Sequence, residues 1–371
     1  MGKIFDLMAT MAFGIESVTK VELQRLGYDT KTEDGRVSFK GDFEDIARTN
    51  LWLRTANRIM IKAGDFDAHD FDTLFDRTFE IEWDEFLVSD AKFPVEVSSV
   101  KSTLSSEPAC QSIIKKAIVE KLKTRYHVQK FSEDGALYRI KVYILKDRVT
   151  IGIDTTGDSL NKRGYRMEIS EAPLKETMAA AIIMLSKWND KLPLWDGFCG
   201  AGTIPIEAMM IAKNIAPGSL RRFVFEEWKN FPKDTVINEK KAAKRAIIDS
   251  EAKITGSDID KKIIDSALRN AGRMGLEKYI DFRATSVERF TPKDSRGFFI
   301  SNLPYGKRME IDTEIYKNLR DKFMFLKDWN FYLLTADRNF EKSFFKSNGN
   351  RKMFNGRIEV RLYKYERRNL N

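Results

Sequence analysis

One segment restricts the fold of this chain more than any other. The apolar run Leu192-Pro193-Leu194-Trp195 passes through Asp196-Gly197-Phe198-Cys199-Gly200-Ala201-Gly202-Thr203 into a helical stretch, Ile204 to Lys213. A buried strand that enters a helix through a glycine-rich turn is the opening unit of a doubly wound α/β sheet, where backbone N–H groups and the helix N-terminus receive a small polar ligand. The spacing Gly197-x-x-Gly200-x-Gly202 departs from the dinucleotide fingerprint, and no Gly-Lys-Ser/Thr step follows, so neither an NAD nor an ATP loop is the best fit. Asp196 sharpens this, because a carboxylate at the strand end repels phosphate and attracts an ammonium group.

Two further segments end the same way, with a polar side chain just past an apolar strand. Ile254-Thr255-Gly256-Ser257-Asp258-Ile259-Asp260 precedes the helical run Lys261 to Met274, and an acidic residue at the end of the second strand can bind both hydroxyls of a ribose. Gly297-Phe298-Phe299-Ile300 reads as a short buried strand that stops at Ser301-Asn302-Leu303-Pro304-Tyr305-Gly306. In that corner the Asn302 oxygen and a backbone carbonyl can accept hydrogen bonds from an exocyclic amine while Tyr305 stacks on its ring. The order Asn-x-Pro-x-Gly also serves as an ordinary turn. Together the three corners ask for a ligand with an amine or carboxylate near the first loop, a ribose near Asp258 and an acceptor base near Asn302. S-adenosylmethionine and a methyl-accepting nucleobase meet those demands.

In this order the three motifs resemble the Rossmann-fold RNA methyltransferases that carry a THUMP domain, especially the bacterial guanine-N2 methyltransferases of 23S ribosomal RNA. The resemblance covers essentially the whole chain. Val100-Lys101-Ser102 through Lys115-Lys116-Ala117-Ile118 is similar to the THUMP signature, and Arg163-Gly164-Tyr165-Arg166 with Ala172-Pro173-Leu174-Lys175-Glu176-Thr177 matches the segment linking THUMP to the catalytic fold. It implies an α/β chain of three parts: a small α+β ferredoxin-like domain over 1–62, a THUMP RNA-binding domain over 63–160, and a doubly wound methyltransferase domain with an antiparallel last strand over 161–371. The cofactor it implies is S-adenosyl-L-methionine. Asp196, Gly200, Gly202 and Thr203 would hold the methionine end, Pro173 and Thr177 would close over it, Asp258 would bind the ribose, and Ile259 would lie beside the adenine. Asn302, Pro304 and Tyr305 would grip the target base, with Asn302 also bordering the cofactor. Two positions depart from the family pattern: Leu303 stands where a second proline is usual, and Ser286 about where an aspartate is common, although a serine can still accept a hydrogen bond from the adenine amine.

Composition agrees with a polyanionic partner, ribosomal RNA first and transfer RNA second. The net charge is +9, and its distribution is uneven: 11 basic and 19 acidic residues over 1–90, 12 and 6 over 91–150, 41 and 30 over 151–371. Lys115, Lys116, Lys121, Lys123 and Arg125 recur at spacings that give a helix a basic face, with Lys101 just upstream, and Arg221-Arg222, Lys240-Lys241, Lys244-Arg245 and Arg367-Arg368 add patches. Two cysteines, Cys110 and Cys199, and two histidines, His69 and His127, leave neither a zinc cluster nor a disulfide framework, so no metal is expected. Cys199 sits inside the glycine turn, which favours packing over nucleophilic attack on a pyrimidine. No run of about 18 apolar residues would cross a membrane, and a cytoplasmic enzyme is the simplest expectation. Oligomeric state is not legible.

The remaining pattern predicts helices at Ser17–Leu26, Asp42–Thr49, near His69–Glu80 and at Cys110–Tyr126. It predicts strands at Phe93–Val100, Leu137–Leu145 and Thr150–Asp154, with Trp329–Leu334 and Ile358–Tyr365 as a closing antiparallel hairpin. Ser219 to Ser250 is a charged, aromatic insert suited either to RNA contact or to a solvated helical excursion. Two other functions fit the corners. A DNA adenine-N6 methyltransferase would use the same amine grip but lacks a target-recognition segment here, and a non-catalytic RNA-binding or ribosome-assembly protein would keep the fold as a scaffold.

Overall fold

The computed structural model describes residues 3–127, 131–166, 173–304 and 313–366. Its N-terminal half is one seven-stranded sheet. The elements are β1 (Phe5–Thr10), α1 (Glu16–Arg25), β2 (Lys31–Glu33), β3 (Arg36–Gly41), α2 (Phe43–Trp52), β4 (Arg58–Asp67), α3 (Phe71–Phe79), β5 (Val95–Val100), α4 (Glu107–Tyr126), β6 (Ile140–Leu145) and β7 (Arg148–Asp154). The strands lie in the order β2-β3-β1-β4-β7-β6-β5, with β5 parallel to β6 and the other pairs antiparallel. β4 is the shared member: its first half pairs with β1 and its length pairs with β7, across a register shift at Lys62/Gly64. The boundary drawn at residue 62 therefore falls inside a strand.

Helix starts follow local chemistry. Asp42 and Asp45 form a reciprocal capping box on α2, and the Asp70 side chain caps α3 by accepting from the Thr73 N–H at 2.7 Å. α4 opens with Pro108 in its first turn, where the missing N–H costs nothing, and closes on His127 in the left-handed conformation.

The C-terminal half contains α5 (Glu176–Ser186), β8 (Leu194–Asp196), α6 (Thr203–Ala212), α7 (Lys233–Arg245), β9 (Ile254–Asp258), α8 (Lys261–Arg273), β10 (Ile280–Ala284), β11 (Arg296–Asn302), α9 (Thr313–Phe325), β12 (Asp328–Thr335), a short helix at Phe340–Ser343, β13 (Gly349–Asn355) and β14 (Ile358–Tyr365). Strand order is β10-β9-β8-β11-β12-β14-β13. All pairs from β10 to β12 are parallel, and β14 runs antiparallel to both neighbours. The order reverses between β8 and β11, which puts a ligand crevice at their carboxyl ends. β12 and β14 do pair antiparallel, but not as a hairpin. β13 intervenes in sequence, and the hairpin is β13–β14. Its polar sequence and edge position gave no alternation to read.

The insert is also resolved differently. Phe223, Phe225, Trp228 and Phe231 are buried, Trp228 stacks on Tyr138 at 4.4 Å, and Phe231 meets Phe43 edge-on at 5.0 Å. Trp228 also donates to the Leu137 carbonyl at 2.9 Å and α7 packs on α2. This segment is mortar between the two halves, since aromatic area of this size drives packing wherever a partner surface exists. Arg221 is likewise buried, its guanidinium donating to the carbonyls of Asp158, Ser159 and Lys162, while Arg222 stays exposed.

Candidate active site

Three strand ends converge on the crevice: Asp196 after β8, Asp258 after β9 and Asn302 after β11. Gly202 carries φ +85 as the N-terminal cap of α6, and Gly200 has φ +51 with no atom within 4 Å of where a side chain would start, so the loop leaves an open cradle in front of the helix N-terminus. Gly256 also matters, because a Cβ there would meet the Phe282 ring at 2.8 Å.

Asp196 is 1 % exposed and accepts from the Phe198 N–H at 3.2 Å and from the Ser301 hydroxyl. Burial pushes its carboxyl up to about 7, the two hydrogen bonds pull it back, and the charge of Asp258 adds to the rise. Asp258 accepts from the Gly200 N–H at 3.0 Å and the Asp260 N–H at 3.1 Å, and burial raises its carboxyl too. No lysine or arginine among the described residues pairs with either carboxylate. Two adjacent acids without a cation are expensive to bury, and a cationic ligand relieves them.

The acceptor corner has its own open valence. Oδ1 of Asn302 is buried and has no hydrogen-bond partner among the described residues. A buried acceptor left so costs about 1–3 kcal/mol unless a ligand satisfies it. Leu303 is fully buried, and its N–H donates to the Leu334 carbonyl at 2.9 Å, extending the β11–β12 ladder by one bond that a proline could not make. Pro304 follows in the described chain; Tyr305, with Gly306, lies outside the described residues. Ile259, beside Asp258, is an apolar side chain left 79 % exposed. Ser286 is half-buried, and its carbonyl accepts from Arg289 and Phe290 N–H groups just after β10.

The described ends of the linking segment are tied to α5 and α6. Arg166 pairs with Glu176 at 2.8 Å, donates to the Leu174 carbonyl at 3.0 Å and reaches the Thr203 hydroxyl at 2.7 Å, so one guanidinium joins the linker, α5 and α6. Thr177 is buried with its hydroxyl 3.4 Å from the Asn57 oxygen, and the Asn355 side chain donates to the Pro173 carbonyl and accepts from the Lys175 N–H. Ala172 lies outside the described residues.

Ser301, Glu207 and Asn355 carry no motif that marks them in the sequence. Ser301 had one usable signal: a hydroxyl in a fully apolar strand must find a buried partner. Glu207 on α6 forms a buried pair with Arg163, 3.2 Å apart, and accepts from the Tyr165 hydroxyl at 3.3 Å. Arg163 also holds the Arg54 carbonyl, and Arg54 in turn donates to the Ile215 carbonyl at 2.8 Å. The ligand loop's helix is thereby fastened to the N-terminal half.

The basic helix differs from a bare cationic stripe. Lys115 contacts Glu133 at 2.7 Å and lies 3.5 Å over the Phe93 ring, Lys121 pairs with Glu82 at 2.8 Å, Lys123 with Glu120 at 2.9 Å, and Arg125 with Asp84 at 2.6 Å. Lys116 and Lys101 remain exposed, Lys101 with φ 51. Arg367-Arg368 lie outside the described residues. Burial pushes the Cys199 thiol far up, so it stays protonated in its glycine turn. His69 is largely exposed beside Asp147. Among the described residues no cluster of three metal-ligating side chains occurs, and no helix is long and apolar enough to cross a membrane.

A glycine cradle, two acidic strand ends and an orphan amide at the switch point of this sheet define a class I methyltransferase. The chain belongs to the RMKL-like methyltransferase-domain family, whose model matches residues 163–364; models of the RlmL ferredoxin-like domain and the THUMP domain match 6–60 and 68–154. It is 42% identical to a putative RNA methyltransferase, YpsC, of Bacillus subtilis, over 98% of this chain and 96% of that one. A ribosomal RNA large subunit methyltransferase K/L of Psychromonas ingrahamii is 33% identical over 95% of this chain, which spans 49% of that protein. Among solved structures, SMU.472, a putative methyltransferase complexed with SAH, superposes with a TM-score of 0.93 at 42% identity, covering 100% of both chains. A protein of Listeria monocytogenes described as a predicted N6-adenine-specific DNA methylase gives 0.93 at 43% identity, covering 98% of this chain and 96% of that one.

Proposed function

We propose that this protein uses S-adenosylmethionine to methylate the exocyclic N2 of a guanine in large-subunit ribosomal RNA. The observation that carries the reading is the buried Oδ1 of Asn302, without a hydrogen-bond partner among the described residues, together with the buried Asp196 and half-buried Asp258 carboxylates, which pair with no cation among those residues. S-adenosylmethionine bound in the glycine cradle supplies a methyl group already activated on a sulfonium.

Asp196 and the Gly200–Thr203 turn hold the methionine end, the carboxylate neutralising its ammonium. Asp258 takes the ribose hydroxyls, Ile259 and Ser286 flank the adenine, and Pro173 with Thr177 closes the methionine side. Asn302 accepts a hydrogen bond from one N–H of the target amine and a backbone carbonyl of the corner accepts one from the other; the methyl passes from sulfur to nitrogen, the thioether leaves as S-adenosylhomocysteine, and the nitrogen's surplus proton goes to solvent water. Those bonds favour a pyramidal nitrogen with a localised lone pair, which a conjugated amine otherwise lacks. Pro304 fixes the corner and Tyr305 stacks on the base. What remains is alignment, for which about 7–11 kcal/mol is available in favourable cases. RNA as substrate is supported by the THUMP match and by the names of the Bacillus and Psychromonas relatives. The three-part division at 62 and 160 belongs to this reading, as does a cytoplasmic location.

The test is methyl transfer from labelled S-adenosylmethionine to ribosomal RNA, transfer RNA and DNA from a strain lacking the protein, followed by nucleoside analysis. N2-methylguanosine in large-subunit RNA is expected. Label confined to transfer RNA keeps the chemistry and changes the substrate; N6-methyladenine in DNA overturns the reading.

A further inference from the structure

The row of residues hydrogen-bonded across the sheet from Asn302 runs through Leu334 and Leu362 to Arg351 on β13. β13 continues past that row to Asn355 in the direction in which β11 ends. At about 3.3 Å per residue, Phe354 stands about 10 Å above the catalytic edge, three strand spacings or about 14 Å to its side. The free edge of β13 is covered by the loop after β1. Gly14, with φ +95, approaches so closely that a Cβ would lie 2.3 Å from the Lys352 carbonyl, and Arg351 donates to the Ser17 hydroxyl at 2.9 Å. This docking presents Phe13, 54 % exposed, with its ring resting on Gly35 and meeting the Phe354 ring edge-on at 6.5 Å.

An exposed ring against a half-buried one is unusual beside so many cations. Lys352 lies 5.3 Å over the Phe354 ring and pairs with Glu359 at 2.9 Å, Arg357 is exposed in the hairpin turn, and Lys175 packs near Gly356. Lys175 and Arg357 have no acidic partner among the described residues. The same hairpin carries Asn355, whose amide holds the Pro173–Lys175 segment. The rings therefore border the path into the crevice on one side and the N-terminal half on the other.

We propose that Phe13 and Phe354 form a stacking platform for an unpaired nucleotide flanking the target base, with Lys175, Lys352 and Arg357 taking the adjoining phosphates. The proposal rests on the RNA-methyltransferase reading and adds the surface that leads the strand to the site. Rings with nearby cations suit single-stranded nucleic acid because every base has a face to stack, whatever its sequence.

The experiment uses the full chain with S-adenosylhomocysteine and two probes, a fluorescent 12-nucleotide oligouridylate and protein-free large-subunit ribosomal RNA. Phe13→Ala is expected to weaken binding of both about tenfold, Phe354→Ala similarly, and Phe13→Trp to stay within twofold of the parent. S-adenosylhomocysteine affinity should not change in either Phe13 variant. Phe13→Ala binding within twofold of the parent overturns the platform and leaves the function standing. A loss that Phe13→Trp fails to restore, or that comes with weaker S-adenosylhomocysteine binding, overturns it by marking Phe13 as packing. A parent that binds neither probe overturns both readings.

Discussion

The Ser301 hydroxyl donates to the buried carboxylate of Asp196, and so ties the strand that ends in Asn302 to the strand that ends in Asp196. β8 is only three residues long and meets β11 through Phe298 and Phe299, so this side-chain bond fixes the relative height of Asp196 and Asn302 where the backbone ladder has already stopped. Ser301→Ala leaves Asp196 with the Phe198 N–H alone. Affinity for S-adenosylhomocysteine at pH 7 should fall about tenfold, with Ser301→Thr recovering most of it. Calorimetric titration checks this, and equal affinity in the alanine variant would remove Ser301 from the site.

A carboxyl at about 7 predicts a pH dependence in the parent enzyme. About a tenth of it is ionised at pH 6 and about nine tenths at pH 8, so affinity for S-adenosylhomocysteine should rise about tenfold over that interval. The folded-state value lies above the ordinary one near ~4. Ionisation of Asp196 thus costs the ligand-free protein stability, with no cost below pH ~4 and the full cost once pH has risen through 7. Asp196→Asn should flatten both profiles, as read by calorimetry and by melting with and without ligand. An affinity that does not change between pH 6 and 8 contradicts the assignment.

Asn302 and Asp258 should separate acceptor chemistry from cofactor affinity. Asn302→Ala is expected to lower methyl transfer by more than a hundredfold with little loss of cofactor binding. Asp258→Ala should weaken cofactor binding by roughly 10- to 100-fold, since a hydrogen bond to a charged group is worth about 1.5–3 kcal/mol. Equal loss of cofactor affinity in both would mean that the acceptor pocket has been misplaced.

Glu207→Gln breaks a pair in which both side chains are essentially inaccessible, 1 % and 0 % exposed. An uncompensated guanidinium in that position should cost about 3–5 kcal/mol, visible in urea unfolding. Because Arg163 also holds Arg54, the loss should appear at the seam between the halves as earlier hydrogen exchange in α6. A stability change under ~1 kcal/mol would show that water reaches the pair.

Gly14→Ala tests the edge contact of β13. Its left-handed backbone alone makes an alanine cost about 1–2 kcal/mol, and the added carbon meets a backbone carbonyl that cannot swing aside. Faster exchange over 349–355 with unchanged exchange in β8 and β9 is expected. Unchanged exchange over 349–355 would mean that the loop relaxes without releasing the strand.

What could be read from the chain was local. Asp196, Asp258 and Asn302 each stand at the end of an apolar run beside a glycine or proline, and such punctuation survives without knowledge of neighbours. The elements that escaped depend on distant partners. Gly349–Asn355 is too polar to signal a strand until β14 pairs with it. The insert holding Trp228 suited either RNA contact or a solvated helical excursion until Tyr138 arrived from ninety residues away to stack on that ring. The lysines of α4 keep helical spacing, yet Glu82, Asp84 and Glu133, which neutralise several of the helix's cations, come from other segments.

β4 binds β1 on one flank and β7 on the other, so the two accessory modules are woven into a single fabric. Gene fusion or grafting that lifts residues 68–154 alone would strip β7 of β4, one of its two neighbours, and expose an apolar, unprotected edge primed for aggregation. Protein engineering meets that constraint directly: the segment before the linker has to be moved as one block, because half of it carries an open seam.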